Sequence, residues 1–206
     1  MFRFFKHRKA KSLAAVFNRI YYKTNLWETG ETGSGPGSTL DNTKRIVKEI
    51  PLMLHSINTR SLLDAPCGDL NWMSHVELGN IEYTGADIIE KLIKRNQKKF
   101  PGKKFIVADI TTDSLPSADV VLCRDCFIHL PNDLILAAIR NFRENGIKYM
   151  ITNTYDFIEE NKDIEPGEFR MINLLLAPFS LTPAMQLIEE EYTSGFPDKK
   201  LGLWKL

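Results

Sequence analysis

The run Ser-Leu-Leu-Asp-Ala-Pro-Cys-Gly-Asp, residues 61–69, decides how the rest of the chain is read. Leu62 and Leu63 make a short apolar segment that ends in an acid, Asp64, and a tight turn, Ala65-Pro66-Cys67-Gly68, follows at once. Asp69 and Asn71 are then placed to cap a helix opening near Trp72. Strand, turn and helix in that order form half of a nucleotide-binding βαβ unit. Gly68 carries no Cβ, so a ligand can approach the backbone closely there. A carboxylate at the end of such a strand faces the crevice where open α/β sheets bind their ligands.

Three more strands keep the same schedule. Ile81 to Asp87 is β-prone and ends in an acid 23 residues after Asp64, the place of a carboxylate that holds ribose hydroxyls. Lys104 to Asp109 again ends in an acid, and Ala118 to Cys123 runs into Arg124-Asp125. One such acid means little, because Asp is common at strand-to-helix turns. Three acids in register with four strands point to one shared crevice.

On these residues the stretch 61–154 resembles the core of a class I S-adenosylmethionine-dependent methyltransferase. The resemblance implies a Rossmann-like seven-stranded α/β sheet, five parallel strands plus an antiparallel edge pair, flanked by helices. It implies S-adenosyl-L-methionine as cofactor. Asp64 and the turn through Pro66, Cys67 and Gly68 would flank its methionine part, Asp87 would hold its ribose and Asp109 with Ile110 would meet its adenine, with Trp72 and Ile88 also among the cofactor-binding residues. The first motif departs from acid-x-Gly-x-Gly-x-Gly, with Pro66 and Leu70 in two glycine positions. The fuller string DAPCGDLNWM (64–73), with ADI (86–88), RDCFIHL (124–130) and NLLLAPF (173–179), is similar to small methyltransferases associated with glycan modification. That implies transfer to a sugar or glycan hydroxyl.

Composition sets the outer bounds. A chain of 206 residues fits one domain with a short extension, divided here as residues 1–25 and 26–206. The net charge of +1 argues against nucleic acid as the main partner. Three cysteines, an odd number without framework spacing, suit a reducing compartment such as the cytoplasm. No apolar run is long enough to span a bilayer, and no signal-peptide pattern opens the chain.

Charge is uneven at the start. Arg3, Lys6, Arg8, Lys9, Lys11, Arg19 and Lys23 precede the first acid, Glu28, while Leu13, Val16, Phe17 and Ile20 recur at helical spacing. This reads as a basic amphipathic helix from about Lys9 to Tyr22. It either docks on an anionic carrier or a membrane surface, or packs its apolar stripe on the domain and solvates its charges. Residues 28–37 hold four Gly and one Pro and read as a flexible loop. The resemblance implies a segment closing over the cofactor here, with Ser38 and Thr39 at the methionine carboxylate and Trp27 as a lid. A helix follows from about Asp41 to Ile57, bent or divided by Pro51. Another runs from Asn132 to Asn145, then a fifth strand from Ile147 to Thr154. Leu187–Tyr192 and Lys200–Leu206 read as two closing strands.

The catalytic candidates lie in Cys123-Arg124-Asp125-Cys126-Phe127-Ile128-His129. A sugar hydroxyl is a poor nucleophile until its proton is drawn away, which requires a general base. His129 is the candidate base. Asp125, four residues earlier, would share a helical face with it and orient it. A His at this point can instead pack or cap the following helix. Arg124 either binds an anionic part of cofactor or acceptor or forms an ion pair with Asp119 or Asp125. The C-x-x-C spacing of Cys123 and Cys126 is weak evidence for zinc, and no metal is expected. Tyr155, Arg170 and Asn173, beyond the fifth strand, are candidates for binding the acceptor; tying down a long loop is the equal alternative. Two other functions fit less well: a methyltransferase for nucleic acid or protein using the basic N-terminus, and a non-catalytic cofactor-binding scaffold.

Overall fold

The computed structural model describes residues 12–191 and 198–206. The basic positions Arg3, Lys6, Arg8, Lys9 and Lys11 lie outside the described residues, as does Tyr192. Seven strands form one sheet: β1 (Ser61–Asp64), β2 (Glu82–Asp87), β3 (Lys104–Val107), β4 (Val120–Cys123), β5 (Tyr149–Tyr155), β6 (Gln186–Glu189) and β7 (Lys199–Lys205). Their order is β3-β2-β1-β4-β5-β7-β6. The first five are mutually parallel, and β7 lies antiparallel between β5 and β6. This is the expected sheet.

The short parallel strands are apolar on both faces because both faces are covered. Side chains alternate across the sheet. Leu63, Val121 and Met150 therefore join one core with Ile135, Ile139 and Phe142 of the helix α4 (Asn132–Glu144). Leu62, Val120, Leu122 and Ile151 join the other with Ile46, Ile50 and Leu54 of α2 (Leu40–Ser56) and Ile93 of α3 (Glu90–Lys99). Pro51 sits inside α2 without dividing it.

Two local expectations fail. No α-helix follows β1: Leu70 takes a left-handed backbone, φ 58°, and from Trp72 the chain makes only a single 3-10 turn, Met73–His75, before Val76 turns extended. The Gly-rich segment 28–38 is bound down by the hydrogen bonds described below rather than left as a free loop. At the N-terminus, α1 (Leu13–Arg19) is capped by the Ser12 hydroxyl and runs into a wider turn, Ile20–Thr24. Ile20 and Tyr21 are buried. Among the described residues no helix is long and apolar enough to cross a membrane.

The sheet order reverses between β1 and β4. Chains leaving these neighbours turn to opposite sides and open a crevice at their C-terminal ends.

Candidate active site

Three strand-end carboxylates line one cavity at that crevice: Asp64 of β1, Asp87 of β2 and Asp109 beyond β3. Asp64 accepts from the Tyr83 hydroxyl at 2.6 Å. Asp87 accepts from the backbone N–H of Ile89 at 2.9 Å and of Gly68 at 3.2 Å. Asp109 accepts from the N–H and hydroxyl of Thr111 at 2.9 and 2.6 Å. Ile88, Leu92, Ala108 and Ile110 supply apolar walls between them. Burial pushes the Asp64 carboxyl up to about 7 and that of Asp87 up to about 6. Both acids are thus held short of water and poised for a hydrogen-bonding or cationic guest.

The N-terminal segment roofs the cavity. Leu13, Phe17, Tyr21, Trp27, Ser34 and Ser38 all line it. Asp69 fastens this roof, accepting from the Thr32 hydroxyl, the Gly33 N–H at 3.1 Å and the Ser34 hydroxyl at 3.1 Å. The Asn71 amide donates to Glu31 at 2.5 Å and to the Ser38 carbonyl at 2.9 Å. Gly68 has φ 54°, and a Cβ there would stand 2.6 Å from the Ser34 hydroxyl. The glycine therefore serves both the turn and the close approach of the roof.

A buried charge cluster closes the far end. Arg124 pairs with Glu190 at 2.5 Å and with Asp125 at 3.1 Å, lies against the Trp72 ring at 5.2 Å, and donates to the Gly37 carbonyl at 2.8 Å. Lys199 reaches Asp125 at 2.7 Å and Glu190 at 3.5 Å. Burial acts to raise the Asp125 carboxyl, but the Arg124 and Lys199 cations outweigh it and hold Asp125 well below the usual carboxylate range. Asp125 has φ 52°, and its N–H donates to the Asn153 side chain at 2.6 Å. Such a backbone persists where its surroundings fix it from several sides.

His129 sits at the cavity wall with its ring 4.7 Å from that of Trp27 and 5.9 Å from that of Phe169. Its Nδ1 lies 2.8 Å from the Glu168 carbonyl oxygen. A carbonyl can only accept, so Nδ1 carries the proton and Nε2 keeps its lone pair. Burial lowers the imidazole below its ordinary range, which keeps the ring neutral.

Residues 63–150 match the family model described as a methyltransferase domain. Over that stretch the chain is similar to methyltransferase domains. No curated protein matches the chain in sequence. Solved methyltransferases share its fold. The magnesium protoporphyrin IX methyltransferase of Synechocystis PCC 6803, crystallised with bound SAM, is 14% identical with a TM-score of 0.66, over 96% of this chain and 98% of that one. An S-adenosylmethionine-dependent methyltransferase of Clostridium acetobutylicum ATCC 824 is 13% identical with a TM-score of 0.59, over 80% of this chain and 92% of that one. Human N-acetylserotonin methyltransferase, in complex with SAM, is 11% identical with a TM-score of 0.60, over 80% of this chain and 51% of that one.

Within the matched stretch and its flanks, most of the residues singled out from sequence meet at the cavity: Trp27, Ser38, Asp64, Pro66, Cys67, Gly68, Trp72, Asp87, Ile88, Asp109, Ile110, Arg124, Asp125 and His129. Four do not line it. The Thr39 hydroxyl donates to the Pro36 carbonyl at 3.0 Å, at the head of α2. Tyr155 is buried beside Phe157. Asn173 ties the Asp156 and Ile158 carbonyls, at 3.2 and 3.1 Å. Arg170 spends its guanidinium on the Lys162, Phe127 and Leu130 carbonyls and the Asn132 side chain. Asn173 and Arg170 thus bond loop backbone carbonyls in this structure.

The expected Asp125–His129 pair is also corrected. Asp125 is left-handed and the following turn, Phe127–His129, is 3-10, so no α-helical turn stacks the two side chains. Asp125 turns to Lys199 and Arg124, and His129 is oriented by a backbone carbonyl. Arg124 takes the ion-pair reading with Asp125; Asp119 instead pairs with Lys148 at 2.7 Å. Cys123 is fully buried in β4, and no trio of His, Cys, Asp or Glu among the described residues is arranged to hold a metal ion. Tyr21, Ser34 and Asp69 were missed as site residues. Asp69 stood inside the deciding motif, but its partners in the roof, Thr32, Gly33 and Ser34, lie more than thirty residues away, and no local pattern signals them.

Proposed function

We propose that this chain is an S-adenosylmethionine-dependent methyltransferase that methylates a hydroxyl group, with a sugar or glycan hydroxyl as acceptor. The residues fit the cofactor. The apolar walls between Asp87 and Asp109 suit an adenine, the Asp87 carboxylate suits the ribose hydroxyls, and Asp64 beside Gly68 suits a charged amino-acid tail. Ser38, at the roof, is placed for the same tail. When bound, S-adenosylmethionine supplies a methyl carbon activated by an adjoining sulfonium.

This chain's own residues do the rest. The roof excludes water and aligns the reacting groups, which is a large part of catalysis in a displacement at carbon. His129 carries the single observation on which the hydroxyl reading rests: a neutral imidazole at the cavity wall, its Nδ1–H committed to Glu168 and its Nε2 lone pair left to take a proton. An amine or thiolate acceptor has no need of that base; a hydroxyl does. Trp27, tilted against His129 at the cavity wall, offers an aromatic face to the apolar side of a sugar ring.

The test is transfer of labelled methyl from S-adenosylmethionine to a panel of sugars, phenols, lipids and small RNAs. His129→Gln should lower turnover by about 100- to 10,000-fold with cofactor affinity unchanged. Full turnover by that variant rejects the base. Transfer to amines or to the base nitrogens of RNA alone rejects the hydroxyl reading, and transfer to the ribose hydroxyls of RNA alone rejects the glycan acceptor.

A further inference from the structure

The turn that carries His129 is held from outside, one carbonyl after another. The Phe127 carbonyl accepts from Nη1 of Arg170 at 2.8 Å, the Ile128 carbonyl from the Arg170 backbone N–H at 3.0 Å, the His129 carbonyl from the Gly167 N–H at 2.9 Å, and the Leu130 carbonyl from Nη2 of Arg170 at 2.8 Å. Four consecutive acceptors are thus met by one stretch, Gly167 to Arg170. The same stretch presents the Glu168 carbonyl to Nδ1 of His129 at 2.8 Å. Three of those four bonds belong to Arg170, which is buried and also bonds Lys162 and Asn132. Its guanidinium meets no carboxylate within ion-pair distance among the described residues. A buried cation bonded only to neutral oxygens is costly to hold, and simple loop closure does not require one.

We infer that Arg170 is a positioning residue for the base: by pinning the Gly167–Arg170 stretch to the Phe127–Leu130 turn, it fixes the Glu168 carbonyl against Nδ1 of His129 and so determines which imidazole nitrogen carries the proton. The inference rests on the assignment of His129 as base made above. The geometry explains why the carbonyl cannot drift: both ends of the turn are fastened to the residue two positions beyond it. The same cation disfavours an imidazolium. The charges facing His129 are the Arg170 guanidinium, the Lys199 ammonium and the Asp125 carboxylate, and two of the three oppose protonation of the ring.

The experiment is nitrogen-15 NMR of the full chain labelled at histidine, with Arg170→Gln and Arg170→Lys beside the parent protein. The parent should show His129 at pH 7 as the neutral Nδ1–H tautomer. Arg170→Gln should lose that signature to a mixture with the Nε2–H form, and its imidazole should titrate at higher pH. Cofactor affinity by calorimetry should stay within about threefold, and kcat for the acceptor found in the panel should fall about 10- to 100-fold. Arg170→Lys, which can reach only part of the same acceptors, should recover part of both effects. An unchanged Nδ1–H signature in Arg170→Gln overturns this inference alone. Full turnover by His129→Gln overturns the base, and this inference with it, whatever the spectra show. If Arg170→Gln does not fold, the parent spectrum decides, since an Nε2–H tautomer or an imidazolium at pH 7 overturns it.

Discussion

The Asp69 carboxylate holds the Thr32 hydroxyl at 2.7 and 2.9 Å, and through it the roof of the cavity. The two residues come from segments 37 positions apart in the chain. Around that contact the same carboxylate gathers the Gly33 N–H and the Ser34 hydroxyl, so one buried acid organises three consecutive residues. Hydrogen bonds to a charged group contribute roughly 1.5–3 kcal/mol each. Asp69→Ala should therefore free the roof before it unfolds the domain. The expected outcome is at least a tenfold loss of affinity for S-adenosylmethionine, with rapid cleavage near residues 28–38 in limited proteolysis. A variant that binds the cofactor as tightly as the parent would show that the roof closes without this clasp.

The deciding motif made the sheet legible, because strand-end acids and apolar runs are local patterns that repeat at fixed spacing. Asp64, Asp87 and Asp109 needed only their positions on successive parallel strands to be placed at one crevice. The ties that complete the site were not legible. Asp69 looks like a helix cap in sequence, and only the structure shows its carboxylate turned to Thr32, Gly33 and Ser34. Arg170 looks like an acceptor-binding residue until the partners of its guanidinium are seen, three of the four of them about forty residues away in the chain. Glu190 carries no motif at all, yet it is the counter-charge for Arg124. Long-range pairing of polar groups follows from tertiary packing, which periodicity does not encode.

Cofactor binding should release protons. Burial raises the Asp64 and Asp87 carboxyls to about 7 and about 6, against an unfolded value near 3.9. Below about pH 4 both states are protonated, and the contribution of these acids to stability is fully present. It is lost progressively from about pH 4 to 7, because the unfolded chain ionises these acids there while the folded chain holds them protonated. A ligand that brings hydroxyl donors or a positive charge to them favours the ionised forms. Calorimetry with S-adenosylmethionine at pH 6.5, in buffers of different ionisation enthalpy, should show net proton release that shrinks by pH 8.5. Asp87→Asn should remove part of it. Binding heat that does not change with the buffer would place the ligand away from these acids.

Gly37 leaves no room for a side chain. A Cβ there would collide with the Asp125 carboxylate and press on the Lys199 ammonium at 3.4 Å. Its carbonyl meanwhile receives the Arg124 guanidinium at 2.8 Å. Gly37→Ala must move either the roof or the charge cluster, and the roof is the softer of the two because it rests on hydrogen bonds rather than on the sheet. The expected result is a cofactor affinity lowered about tenfold or more with a melting temperature within a few degrees of the parent. The opposite pattern, a large thermal loss with intact binding, would mean that the cluster yields first.

Glu190 is the least replaceable member of that cluster. Its side chain is fully buried, accepts from Asn153 at 2.5 Å, and faces Arg124 at 2.5 Å and Lys199 at 3.5 Å. Removing it leaves two buried cations with one carboxylate, Asp125, between them. Breaking a buried pair from one side costs about 3–5 kcal/mol, since the surviving charge stays desolvated. For a chain of this size that is a fall in melting temperature on the order of 10 °C. Glu190→Ala should show the full loss. Adding Arg124→Met should recover part of it by removing the orphaned charge, although the bond to Gly37 goes as well. If Glu190→Ala melts within a degree or two of the parent, water or a side-chain rearrangement neutralises the cluster, and the buried ion pair is not what fastens β4 to the end of β6.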